Sequence, residues 1–169
     1  MGTDISWFIE RSENGIFWEP DSMHTEEILE EDRVSYPFIR DIPLCRNYPF
    51  FNILAGVRSF YGDNKKKAKG IPQDASPAVS ATIDLFSLYS VSYMSVDELL
   101  ECVKEYNDKR KKFYGLGCSR IVLNPNPKRR LYAIRKKHGV YSFSQVINHM
   151  IYLEKTYPNE FVRAVFGFS

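Results

Sequence analysis

Strand-like alternation and helix-like spacing succeed each other along this 169-residue chain. Ile5, Trp7 and Ile9 alternate with polar positions, the pattern of a half-buried strand. Asn14-Gly15 supplies a turn, and Ile16-Phe17-Trp18 starts a return strand, so the chain opens as a hairpin. Residues 21–35 are acidic and read as a loop or a short solvated helix. Pro37, Pro43 and Pro49 interrupt regular structure. An apolar helix follows over Tyr48 to Phe60, with Pro49 in its first turn, where a missing N–H costs nothing. Gly62 to Asp74 reads as a loop.

Ser76-Pro77 is an N-cap signal for a helix over 77–88, and Ser90 to Met94 reads as a strand. Ser95 with Glu98 forms a capping box. It opens the clearest helix of the chain, 96–112, with Val96, Leu99, Leu100, Val103 and Tyr106 on one face. Gly115 and Gly117 stop it. Arg120 to Leu123 is a candidate short strand, and Asn124 to Pro127 a turn. Ser142 or Ser144 caps a further helix to about 156, ended by Pro158, and Phe161 to Phe168 is strand-like. These elements predict an α+β fold, a mostly antiparallel sheet with three to four helices packed on it. No repeat or low-complexity linker divides the chain, so residues 1–169 read as a single domain.

Composition narrows the function classes. The cysteines Cys45, Cys102 and Cys118 are widely spaced and odd in number, which fits a reducing compartment better than a disulfide framework. His24, His138 and His149 are scattered, without zinc-ligand spacing, and neither a metal nor a cofactor is expected. No basic region with an apolar run opens the chain, and no apolar run approaches the ~20 residues of a membrane span, so the expected location is the cytoplasm. Glycines 115 and 117 lack the setting of a phosphate loop. Cys45 lies beside Arg46, a neighbour able to lower a thiol pKa, but no histidine base accompanies it in sequence.

Charge is more informative than its net value of +2. Residues 1–41 hold eleven acids and three arginines, while residues 104–137 hold twelve Lys and Arg against Glu105 and Asp108. Such asymmetry points to an anionic partner, to self-association between opposite faces, or simply to solvated surface. Lys109 to Lys112 and Lys128 to Lys137, with Tyr114 and Tyr132 between them, leave nucleic acid open as a partner, though a near-neutral chain without a nucleic-acid motif does not favour it.

Arg46-Asn47-Tyr48-Pro49-Phe50-Phe51-Asn52-Ile53-Leu54-Ala55-Gly56-Val57-Arg58 resembles the signature of a family of small bacteriophage and prophage proteins without a settled activity. Gly70-Ile71-Pro72-Gln73-Asp74-Ala75-Ser76 and Ser90-Val91-Ser92-Tyr93 resemble two further stretches of that family, and Val162 to Phe166 its terminal strand. Family members carry an Asp-x-His just before the Ser-x-Ser. Here those places hold Ser87 and Tyr89, which shifts the expectation from catalysis to binding. The resemblance implies an accessory role against a host defence.

The motif residues also suggest a chemistry of their own. Arg46 and Arg58 can fork onto phosphate oxygens, Tyr48, Tyr89 and Tyr93 offer ring faces for a base, and Asn47, Ser90 and Ser92 offer neutral hydrogen bonds. Packing of the apolar residues, with the arginines bound to carbonyls or to Asp74, is the competing reading. The candidate ligand-binding set is therefore Arg46, Asn47, Tyr48, Arg58, Asp74, Tyr89, Ser90 and Ser92, with no catalytic or metal residue. The expected function is sequestration of a nucleotide-type signal. The alternatives are a protein–protein inhibitor of a host defence enzyme such as an RNA-guided nuclease, and a nucleotide-processing enzyme. A homo-oligomer is also open.

Overall fold

The computed structural model describes residues 2–26, 39–58, 66–113, 119–128 and 139–169, with the side chains of residues 25, 26 and 111–113 excepted. Most of the acidic stretch, Phe60, the two helix-stopping glycines and the basic run beyond Lys128 lie outside the described residues.

The fold is α+β, an antiparallel sheet with helices packed on it. Strand β1 (Ile5–Ser12) and strand β5 (Phe161–Phe168) pair antiparallel along their whole length at its centre. Strand β4 (Tyr89–Ser95) flanks β5 on one side. The far edge of β1 is covered in two pieces, by β2 (Glu19–Pro20) and by β3 (Ile42–Pro43).

Period-two alternation sorts the sheet into two faces. Ile5, Trp7 and Ile9 with Ala164, Phe166 and Phe168 face the larger core. There they meet helix α2 (Tyr48–Ala55), α4 (Val96–Phe113) and α5 (Phe143–Thr156). Trp7 stacks on Phe166 across the strands at 5.0 Å, and Phe143 meets Trp7 edge-on at 5.8 Å. On the other face Phe8, Val91 and Val165 pack under α3 (Pro77–Leu85) through Val79 and Ile83. The one-turn helix α1 (Met23–Glu26) follows β2. Among the described residues no helix is long and apolar enough to cross a membrane.

Local rules place the helix starts where the sequence predicts them. Asn47 Oδ1 accepts from Phe50 N–H, Ser76 Oγ from Val79 N–H, and Ser95 and Glu98 bond reciprocally. Ser142, rather than Ser144, caps α5, in a box with Gln145.

Three expectations are corrected. The return strand does not begin at Ile16. Asn14 Oδ1 takes the N–H groups of Ile16 and Phe17, both at 2.9 Å, so those donors are lost to a ladder and pairing resumes only at Glu19. Helix α2 ends at Ala55 because Gly56 turns left-handed at φ 70° and its N–H closes on Asn52 O. Residues 120–123 are not a strand. Their backbone is held by side chains: Asn107 bonds both N–H and C=O of Ile121, while Ser144 and Asn148 take those of Val122.

Candidate functional site

Arg46 precedes α2 and Arg58 follows it, at opposite ends of an eight-residue helix. Each nevertheless reaches one of two adjacent residues at the start of the chain, Arg46 to Asp4 and Arg58 to Thr3. Arg46 forks onto the Asp4 carboxylate, Nε to Oδ1 at 2.6 Å and Nη2 to Oδ2 at 3.0 Å. Arg58 Nε donates to Thr3 Oγ1 at 2.7 Å, and its guanidinium lies 5.6 Å from the centre of the Tyr48 ring. Tyr48 OH accepts from the Thr3 N–H at 3.3 Å. Arg58 is itself left-handed, φ 57°. The Arg46 guanidinium lies flat against the chain at Gly2, where a Cβ would sit 2.4 Å from Nη1.

This corner is open. The Arg46 and Asp4 side chains are 54% and 61% exposed. The hydrogen bond from Arg46 holds the Asp4 carboxyl below its ordinary value, and Asp4 in turn raises Arg46. Tyr89 stands at the same end of the sheet. It pairs with Phe168 in the ladder and touches that ring at 6.2 Å, and Phe168 also packs on Phe51 of α2.

The other candidates do not join them. Asn47 is taken up internally, by the α2 cap and by Tyr106 OH at 3.2 Å. Ser92 is buried and accepts from the Lys69 N–H. Ser90 sits at a left-handed kink, φ 48°, where the β4 register shifts. Asp74 lies at the opposite end of β5, bonded to Arg163 Nη1 at 2.8 Å and to Trp18 Nε1 at 3.0 Å. Arg163 and Phe168 are five residues apart on one strand, about 17 Å by strand rise. The eight candidates therefore form no single pocket, and neither Arg46 nor Arg58 is bonded to Asp74.

Two buried ionic networks were missed. In the first, Glu10 is wholly buried on β1. Its Oε2 accepts from Arg163 Nε at 2.8 Å and its Oε1 from the Ser76 N–H at 2.7 Å. Arg163 lies 3.7 Å above the Trp18 ring. The signal was available, since each of two apolar strands carries one buried charge, of opposite sign.

In the second, Asp21 accepts from His149 Nε2 at 3.0 Å and from Arg11 at 3.4 Å. Arg11 also grips Glu160 and covers the Tyr157 ring. Burial alone would raise the Asp21 carboxyl, but the hydrogen bond from His149 and the charge of Arg11 bring it below its ordinary value. Asp21, His24 and His149 are all buried, so this cluster is closed to a substrate.

Neither described free cysteine is poised as a nucleophile. Burial raises the thiols of Cys45 and Cys102, the former against backbone hydrogen bonds and the latter against Lys66; Arg46, expected to lower Cys45, is turned to Asp4 instead. Lys109, one of the basic candidates for nucleic acid, is paired with Glu105 at 2.8 Å. Among the described residues no group of three or more His, Cys, Asp or Glu can hold a metal ion. The chain matches no protein-family model, no curated protein and no solved structure.

Proposed function

We propose that the chain is a binding protein that captures a phosphate-bearing, nucleotide-type molecule at the corner formed by Arg46, Tyr48 and Arg58, in the service of a phage countering a host defence. The carrying observation is the convergence of two guanidiniums, twelve positions apart in sequence, on the adjacent residues Thr3 and Asp4 beside a tyrosine ring. The Asp4 carboxylate fills the Arg46 fork as a phosphate would. A phosphate carries more charge than Asp4 and can take its place, while Tyr48 and Tyr89 offer ring surface to a base. The phage setting comes from the motif resemblance.

A second reading, docking onto a host defence enzyme such as an RNA-guided nuclease, is favoured by the openness of the same corner. None of the eight candidates lines the hollow beside Phe17, the groove between α4 and residues 120–123, or the hollow beside Pro158.

Titration calorimetry against cyclic nucleotides and ADP-ribose derivatives tests the first reading. Binding should be lost in Arg46→Ala and Arg58→Ala, strengthened in Asp4→Asn, and indifferent to Asp74→Ala. A wild-type protein that binds none of these ligands sinks it. Capture of a stoichiometric host protein that depends on Arg46 then supports the second.

A further inference from the structure

The tip between β1 and β2 displays large apolar side chains on an ordered turn. Ile16 is 65% exposed and Phe17 76%, and Phe161, at van der Waals distance from a Cβ placed on Gly15, is 56% exposed. The turn is held from within: Asn14 Oδ1 takes two N–H groups and Ser12 Oγ takes that of Gly15. These three side chains offer on the order of 300 Å² of apolar surface, the scale at which an exposed patch on a monomer tends to be functional. Glu13 and Glu19 flank the tip, both lining the hollow beside Phe17.

Elsewhere the chain carries a counterpart. A groove of about 410 Å³ runs between α4 and residues 120–123. Its floor is apolar, from Leu100, Val103 and Ile121, and Val122 stands beside it 60% exposed. Lys104 and Arg120 are on its rim together with one acid, Asp108. The groove is built rather than incidental, because Asn107 clamps Ile121 to α4 while Ser144 and Asn148 clamp Val122 to α5.

Knob and groove are opposite in shape and in prevailing charge. They cannot meet within one chain. The groove is anchored at Ser144 near the start of α5, and the tip abuts Phe161 just past its end, roughly 18 Å apart by helical rise. We propose that the occupant of the groove is a second copy of this chain. The Ile16–Phe17 tip of one copy inserts between α4 and residues 120–123 of the next, with Glu13 and Glu19 meeting Lys104 and Arg120. Such a contact is heterologous, so association proceeds head to tail. Charge complementarity sets the register and makes it sensitive to salt. This inference is independent of the Arg46–Arg58 reading.

Sedimentation velocity over a wide concentration range tests it. The wild-type mass should rise with concentration and fall with added salt. Phe17→Glu destroys the knob and Val122→Glu the groove. Both positions are exposed, so circular dichroism should show an unchanged fold. Each variant alone should be monomeric, with self-association weakened about tenfold or more. Mixed in equal amounts they retain one good knob and one good groove, and should form a dimer that grows no further. Should the glutamates disturb the fold, Glu19→Lys should weaken association and Glu19→Lys with Arg120→Glu should restore it. A wild type that stays monomeric, a mixture that stays monomeric, a failed restoration, or a tip that captures only a different protein would overturn the proposal.

Discussion

The backbone N–H of Ile9 donates to Nε2 of His24 at 2.9 Å, so this imidazole is neutral and carries its proton on Nδ1. That proton goes to the carbonyl of Arg40 at 2.7 Å. A protonated ring would turn a donor against the Ile9 N–H inside the core. Burial lowers the pKa of His24 below its ordinary 6.5. The Arg40 bond and the charges of Asp21 and Asp41 act in the opposite sense, and His149 reinforces the lowering.

The sign of the pH dependence follows. With the folded pKa below the unfolded one, the contribution of His24 is complete above about pH 6.5 and is lost as pH falls toward the folded value. The unfolding free energy from urea titration should therefore drop between pH 7 and pH 5, by at most about 1.4 kcal/mol per pH unit from this one group, and the urea midpoint with it. His24→Gln, less stable at neutral pH, should show a flatter profile. A wild-type midpoint that is constant over this range contradicts the tautomer assignment.

Arg163→Ala should be among the most damaging single changes. It leaves the wholly buried Glu10 without its cation, a loss of about 3–5 kcal/mol. Replacing both members by leucine should recover only part of this, because the Ser76 N–H also depends on Glu10. Chemical denaturation of the three variants measures the difference. Equal stability of the double variant and wild type would show that the Ser76 bond contributes nothing.

Asn107→Ala removes both backbone bonds to Ile121, and about 1–3 kcal/mol of stability should go with them. The local effect should exceed the global one. Hydrogen exchange at the Ile121 and Val122 amides should accelerate more than exchange in β1 or β5. Uniform acceleration would mean that residues 120–123 open only with the whole domain.

Ser90→Gly should stabilise the protein. Ser90 holds φ 48°, where a side chain crowds its own backbone and glycine does not. A gain of about 0.5–1 kcal/mol in thermal or urea unfolding is expected. Destabilisation would reveal that the hydroxyl makes a bond worth more than the strain.

The parts of this fold governed by neighbours in sequence could be read from sequence. Asn47, Ser76, Ser95 and Ser142 each cap a helix through a group within three residues, and β5 announces itself as a largely apolar run after Pro158. The turn at Asn14-Gly15 was equally plain. What followed it was not, because one side-chain oxygen outcompetes a ladder for two donors. The site residues were harder still. Arg46 and Arg58 are bonded to the adjacent residues Asp4 and Thr3, which no spacing rule connects to them. Asp74 looked like part of the same motif and instead answers Arg163, eighty-nine positions away. Long-range ionic pairing is decided by the strand order β2-β1-β5-β4, which alternation alone does not specify.

That strand order carries a consequence for synthesis. The innermost ladder joins β1, the first described strand, to β5, the last, and Asp4 and Ser169 exchange both backbone bonds at its end. A ribosome-bound chain that has emerged only as far as α5 has β1 and β4 with the place between them, that of β5, still empty. The sheet cannot close before residues 161–168 are available, because β5 is the strand that joins β1 to β4. The same proximity means that a short linker running from Ser169 to Asp4, with the chain opened at an exposed loop, should leave the sheet intact.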